Sequence, residues 1–231
     1  METNNQTESN QRRSFLKQVA TGAAVLGAGS FLSTPFHASA ESLNQGDVTE
    51  ADAWFNKVKG KHKIVFDVIE PKGIFPFAWP KIFLVTNGAT GTTEKDCGVV
   101  VILRHNAIPF AMGNDLWAKY KFGEMFKVYG EDGKTPVTSN PFWQAKPMTI
   151  PGVGEVKVSI DDLQASGVML CACDMALTVY SAVAAMGSKQ DPAAVKKEWL
   201  VGLLPSIQPV PSGVWAVGRA QEHGCSYCFV G

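Results

Sequence analysis

An α/β fold with a mostly parallel sheet covered on both faces is predicted by three observations. Strand-like runs alternate with capped or amphipathic helical stretches along most of the 231-residue chain, the pattern of βαβ units. Cys97-Gly98-Val99-Val100-Val101-Ile102-Leu103 is apolar almost without a break, as a strand buried on both faces reads. Val168 to Cys173 is a second buried strand, and it ends in two thiols before turning straight into a helix.

The elements follow in order. Residues 41–49 are polar and read as a loose leader, and residues 51–59 as a short amphipathic segment. Lys63-Ile64-Val65-Phe66-Asp67-Val68 is the first strand by its β-branched and aromatic content. The prolines of residues 74–80 argue against a regular helix there and place one at 81–87, ending at Gly88. After the strand at 97–103 a helix is expected over 114–126, with Asn114 or Asp115 as N-cap. Residues 130–151, rich in Pro, Gly, Thr and Ser, read as a long loop. Ser159 with Asp162 approximates a capping box. The thiol strand leads into a helix from about Asp174 to Met186, stopped at Gly187. Asp191-Pro192 opens another helix, and Ser212 a last one over 213–223. Cys225 to Val230 closes the chain as a strand.

The first forty residues read as an address. Arg12-Arg13-Ser14-Phe15-Leu16-Lys17 resembles a twin-arginine export signal, a weakly apolar stretch follows over 19–32, and Ala38-Ser39-Ala40 is an A-x-A processing site. The mature chain is expected to start at Glu41, with 41–60 as a leader segment and 61–231 as one domain. The twin-arginine translocase is the expected partner during export, and the periplasm the expected location. Without residues 1–40 the 21 basic and 21 acidic residues become 18 and 19. That balance gives no footprint for nucleic acid or an anionic membrane.

All five cysteines (Cys97, Cys171, Cys173, Cys225, Cys228) lie beyond the signal. An odd count leaves at least one thiol unpaired or paired between chains. In an open parallel sheet, function gathers beyond the carboxyl ends of the strands. Three strands deliver polar residues there: Asp67, then Arg104 and His105, then Cys171 and Cys173. A helix N-terminus after Cys173 and a nearby Arg104 favour thiolate, whereas Asp174 opposes it. Pleating puts Cys171 and Cys173 on one face while both stay in the strand. Each residue also has a structural reading: buried cysteine as a small hydrophobe, His105 as a hydrogen-bonded strand end, Arg104 as the partner of a carboxylate. Cys225-Ser226-Tyr227-Cys228 is spaced C-x-x-C but follows a helix and lacks a second ligand pair, so it reads as structural. No G-x-G-x-x-G, Walker loop, H-E-x-x-H or G-x-S-x-G occurs, and no cofactor or multi-histidine metal centre is expected.

Three segments give the chain a family likeness. They are the apolar strand running into Arg104-His105-Asn106-Ala107, Leu163-Gln164-Ala165-Ser166-Gly167-Val168 leading to Cys173-Asp174-Met175-Ala176-Leu177, and Val210-Pro211-Ser212-Gly213-Val214-Trp215 followed by Arg219-Ala220-Gln221-Glu222-His223-Gly224. Over residues 61–231 the chain resembles the DsrE/DsrF-like family of small sulfur-relay proteins. The resemblance implies a three-layer α/β/α sandwich and homo-oligomers. It also implies a persulfide-accepting cysteine just before the helix that follows this strand. Cys173 matches that position and Cys171 neighbours it. The expected function is therefore an exported sulfur-handling protein, with a sulfur-donor or acceptor protein as partner. In that reading Cys173 carries persulfide, Arg104 or His105 stabilises its charge, and Cys171 resolves it. The alternative is a non-catalytic periplasmic protein of the same fold that holds a small ligand or a soft metal ion such as Cu(I) or zinc.

Overall fold

The computed structural model describes residues 45–150, 152 and 154–231. The export-signal motif, the A-x-A site and Glu41 lie outside the described residues. Among the described residues no helix is long and apolar enough to cross a membrane.

Five parallel strands form the central sheet: β1 (His62–Val68), β2 (Cys97–Leu103), β5 (Met169–Cys173), β6 (Ile207–Val210) and β7 (Ser226–Val230), in the order β6-β5-β2-β1-β7. A short antiparallel hairpin, β3 (Met148–Ile150) and β4 (Gly154–Val156), lies outside it. The helices are α1 (Gln45–Trp54), α2 (Phe75–Ala89), α3 (Asn114–Tyr120), α4 (Phe122–Met125), α5 (Ile160–Ala165), α6 (Asp174–Ser188), α7 (Pro192–Val201) and α8 (Gly213–Glu222).

Alternation along the strands builds two buried clusters and hence three layers. Phe66, Val68, Val101, Leu103 and Leu170 pack under residues of α2 through α7. Val65, Val100, Ile102 and Cys171 pack on the other side, under Ala51 and Trp54 of α1 and Ala216 and Ala220 of α8. Every residue of β2 is buried, as its unbroken apolar run requires of a central strand. The fold is thus the expected α/β/α sandwich.

Several local expectations change. The prolines do not interrupt α2. Pro76 occupies the first turn, where its missing N–H has no intrahelical partner in any helix, and Pro80 follows one turn later and removes a single bond. The predicted helix over 114–126 is two helices, because Lys121 adopts φ 51° between them, and the N-cap position falls to Gly113. Residues 148–150 of the predicted loop pair as β3. Helix α1 starts inside the segment expected to be loose. Helix α6 runs past Gly187 and ends where Lys189 turns left-handed at φ 56°. Strand β6 was not expected; it is an edge strand and tolerates Pro209 for that reason. The caps at Ser159, Asp191 and Ser212 form as predicted, each side chain accepting a backbone N–H of its helix.

Candidate functional site

The connection topology singles out one place on the sheet. The helix after β5, α6, packs in the first cluster, and the helix after β6, α8, packs in the second. Neighbouring strands whose following helices leave to opposite faces open a crevice at their carboxyl ends, the usual ligand position in such sheets. Cys173 is the last residue of β5 and Gly213 the first of α8, so both stand at that crevice.

Cys173 is also the N-cap of α6. Its backbone is extended (φ −71°, ψ 111°), and its Sγ accepts the N–H of Ala176 at 3.3 Å, the role serine or aspartate usually takes. The amides of Gly213 and Met175 also face this sulfur closely enough to favour its charged form. Two helix N-termini therefore converge on one thiol, and aligned peptide dipoles there favour negative charge. Burial works against them and dominates: Cys173 is only 6% exposed, and its thiol is pushed up from the ordinary range, with Asp174 adding a smaller push in the same direction. The Asp174 carboxylate, itself buried, pairs with Lys196 of α7 at 2.9 Å.

Beside the thiol lies a charged pair. Asp67, at the end of β1, accepts from Arg104 Nε at 2.6 Å and Nη2 at 2.8 Å, a bidentate fork. Tyr227 of β7 donates its hydroxyl to the same carboxylate at 2.9 Å. Hydrogen bonding to Asp67 raises the guanidinium further, so Arg104 is permanently cationic, and Cys173 is near enough to feel that charge. Gly213 presses on the arginine stem: a Cβ there would meet Arg104 Cδ at 2.3 Å. The arginine is thus clamped between the sheet and α8.

The predicted residues divide. Arg104 and Cys173 come together with Asp67. Cys171 is fully enclosed in the cluster beneath α1 and α8, and burial first, then the neighbouring Cys173 sulfur and Asp67, push its thiol far up. His105 leaves the group. It takes φ 50°, a left-handed conformation that turns the chain at the strand end, and its Nδ1 lies 3.5 Å from Glu70 with its ring edge-on to Tyr180. Among the described residues no contact joins His105 to Cys173.

All five cysteines are free thiols, and the C-x-x-C pair is split, with Cys225 buried among the second cluster and Cys228 packed against the first. Two participants escaped the sequence reading. Tyr227 was detectable by alternation, since a buried Cys225 puts residue 227 on the same face. Gly213 carried no local signal, because its role comes from a close approach to a distant side chain.

No protein-family model and no curated protein matches the chain. Among solved structures it is similar to a protein of unknown function, MTH1491, from Methanobacterium thermoautotrophicum, at 14% identity over 74% of this chain and 100% of that one, with a TM-score of 0.33. That likeness is too slight to bear on the chemistry.

Proposed function

We propose that this chain handles sulfane sulfur, with Cys173 as the carrier. The observation that supports the reading is the convergence of amides from two helices on the Cys173 sulfur, next to the clamped Arg104. The Cys173 thiolate attacks the outer sulfur of a donor persulfide, R–S–S–H. The donor S–S bond breaks, and R–S⁻ leaves and takes up the proton that Cys173 gave. Cys173 is left as Cys–S–S–H with no net oxidation, and an acceptor thiolate reverses the step. A persulfide is a stronger acid than the thiol it comes from. Burial opposes charge on either form, and the converging amides have less of that opposition to overcome once the more acidic persulfide is in place. The reading includes work after export, in the periplasm, with a sulfur-donor or acceptor protein as partner and a homo-oligomeric state.

The soft-metal alternative draws on Cys171, Cys173 and His105, of which His105 lies against Glu70. Among the described residues no group of three or more His, Cys, Asp or Glu is placed to hold a metal ion.

The test is intact-mass and peptide mass spectrometry after incubation with glutathione persulfide. Cys173 should gain about 32 Da, one sulfur atom, and Cys173→Ser should lose that adduct while Cys171→Ala keeps it. Serine satisfies the same cap, so the variant should retain its thermal stability. Sulfur found only on the more accessible Cys228, or unchanged loading in Cys173→Ser, overturns the proposal.

A further inference from the structure

The residues that turn away from the thiol organise a second place at the same end of the sheet. Asn106 donates through Nδ2 to both oxygens of Glu70 at 3.0 Å and accepts the Tyr180 hydroxyl through Oδ1. His105 Nδ1 lies 3.5 Å from the Glu70 Oε1 that Asn106 also bonds. The network draws on three segments: the turn after β1, the 3₁₀ turn after β2 (His105–Ala111) and α6. The ring of Phe126 stands edge-on to Tyr180 with centroids 4.8 Å apart. Two residues here, His105 and Lys127, hold left-handed backbone (φ 50° and 56°), a strain of about 1 kcal/mol each that clusters at functional positions.

Against this backing lies a cavity of about 620 Å³, lined by Glu70, Lys72, Asn106, Met125, Phe126 and Lys127. The volume is ordinary for a small-molecule site. Its polar groups are not equivalent. Glu70 has its carboxylate engaged by Asn106. Lys72 and Lys127 make no ion pair among the described residues. The wall therefore offers two uncommitted ammonium groups against one committed carboxylate, beside the half-buried Met125 and Pro71 and the edge of the largely buried Phe126 ring.

We propose that this cavity binds a small organic anion, its charged group between Lys72 and Lys127 and its apolar body on Met125 and Phe126. The Asn106–Glu70–Tyr180 network is the rigid support that fixes this wall. The site is separate from Cys173 and does not rest on sulfur chemistry.

The experiment titrates the isotopically labelled full chain with benzoate and follows backbone amide shifts by NMR. Saturable shifts are expected at residues 70–72, 106 and 125–127. Benzyl alcohol, the neutral isostere, and inorganic phosphate, a charge without the apolar body, should each bind at least tenfold more weakly. Lys72→Ala/Lys127→Ala, both surface changes, should weaken benzoate at least tenfold with the amide spectrum otherwise preserved. Equal binding of benzyl alcohol, or unchanged affinity in the double variant, overturns the role of charge. Phosphate binding as tightly as benzoate overturns the role of the apolar wall. No saturable shift at these amides overturns the site.

Discussion

Replacing Gly213 by alanine tests the clamp around the thiol. An ideal Cβ at this position would lie 2.3 Å from Arg104 Cδ, 2.7 Å from its Cβ and 3.0 Å from its Cγ, where carbon atoms ordinarily sit about 3.5–4.0 Å apart. The Arg104 Cβ is fixed to the strand end, so the side chain cannot escape by moving its tip alone. It must swing out, and the fork to Asp67 opens. Overpacking costs about 1–3 kcal/mol. Breaking a buried pair costs about 3–5 kcal/mol, less here because the Arg104 side chain is 25% exposed and Tyr227 still donates to Asp67. The net expectation is a loss of about 3 kcal/mol, or a Tm lower by about 6–12 °C for a domain of this size. Gly218→Ala in the same helix is the control: nothing lies within 4 Å of its Cβ, so helix propensity should leave the protein unchanged or more stable by up to about 1 kcal/mol. Urea denaturation and calorimetry read both. In an Arg104→Ala background Gly213→Ala should cost less than in the wild type, because Cδ and Cγ are gone and only the Cβ contact at 2.7 Å is left to relieve. Wild-type stability in Gly213→Ala, or full additivity with Arg104→Ala, refutes the clamp.

Two further expectations concern charge. Asp67→Asn removes the buried carboxylate that two donors share and should cost about 3 kcal/mol, whereas Tyr227→Phe removes one neutral donor and should cost about 1 kcal/mol; equal losses in urea titrations would argue against this hierarchy. Burial raises the thiols of Cys97, Cys171, Cys173, Cys225 and Cys228, so the folded state holds those protons more tightly than the unfolded one. Their contribution is complete below the ordinary thiol value of about 8.5 and is lost as pH rises through the folded values. Urea midpoints should therefore fall between pH 8 and 10, and Cys171→Ala should flatten that slope; a flat wild-type profile counts against the buried thiols.

What the sequence reveals depends on how local the cause is. The caps at Ser159, Asp191 and Ser212 act within a single helical turn, and each was readable from three or four letters. The fully buried β2 was readable because every one of its positions obeys the same rule. Helix α2 was hidden by its prolines, which count as breakers only without regard to where in the helix they stand. Strand β6 was hidden because an edge position excuses Pro209, and edge status is set by the whole topology. The site divides the same way. Strand ends in the sequence assign Asp67, Arg104 and Cys173 to one edge of the sheet, and the fold brings them together there. The departure of His105 could not be read, since one left-handed residue redirects it towards Glu70.

The position of Cys173 at a helix cap separates the needs of folding from those of chemistry. An oxygen there would hold the Ala176 amide at least as well as sulfur does, and would not be exposed to oxidation. A lineage selected for the shape of this protein alone could therefore keep the cap with serine and lose only the apolar packing of the sulfur in the first cluster. A lineage in which sulfur persists there while the surrounding packing varies is one in which the atom is retained for something other than architecture. The frequency of serine against cysteine at this single cap, across close relatives, would record that selection directly.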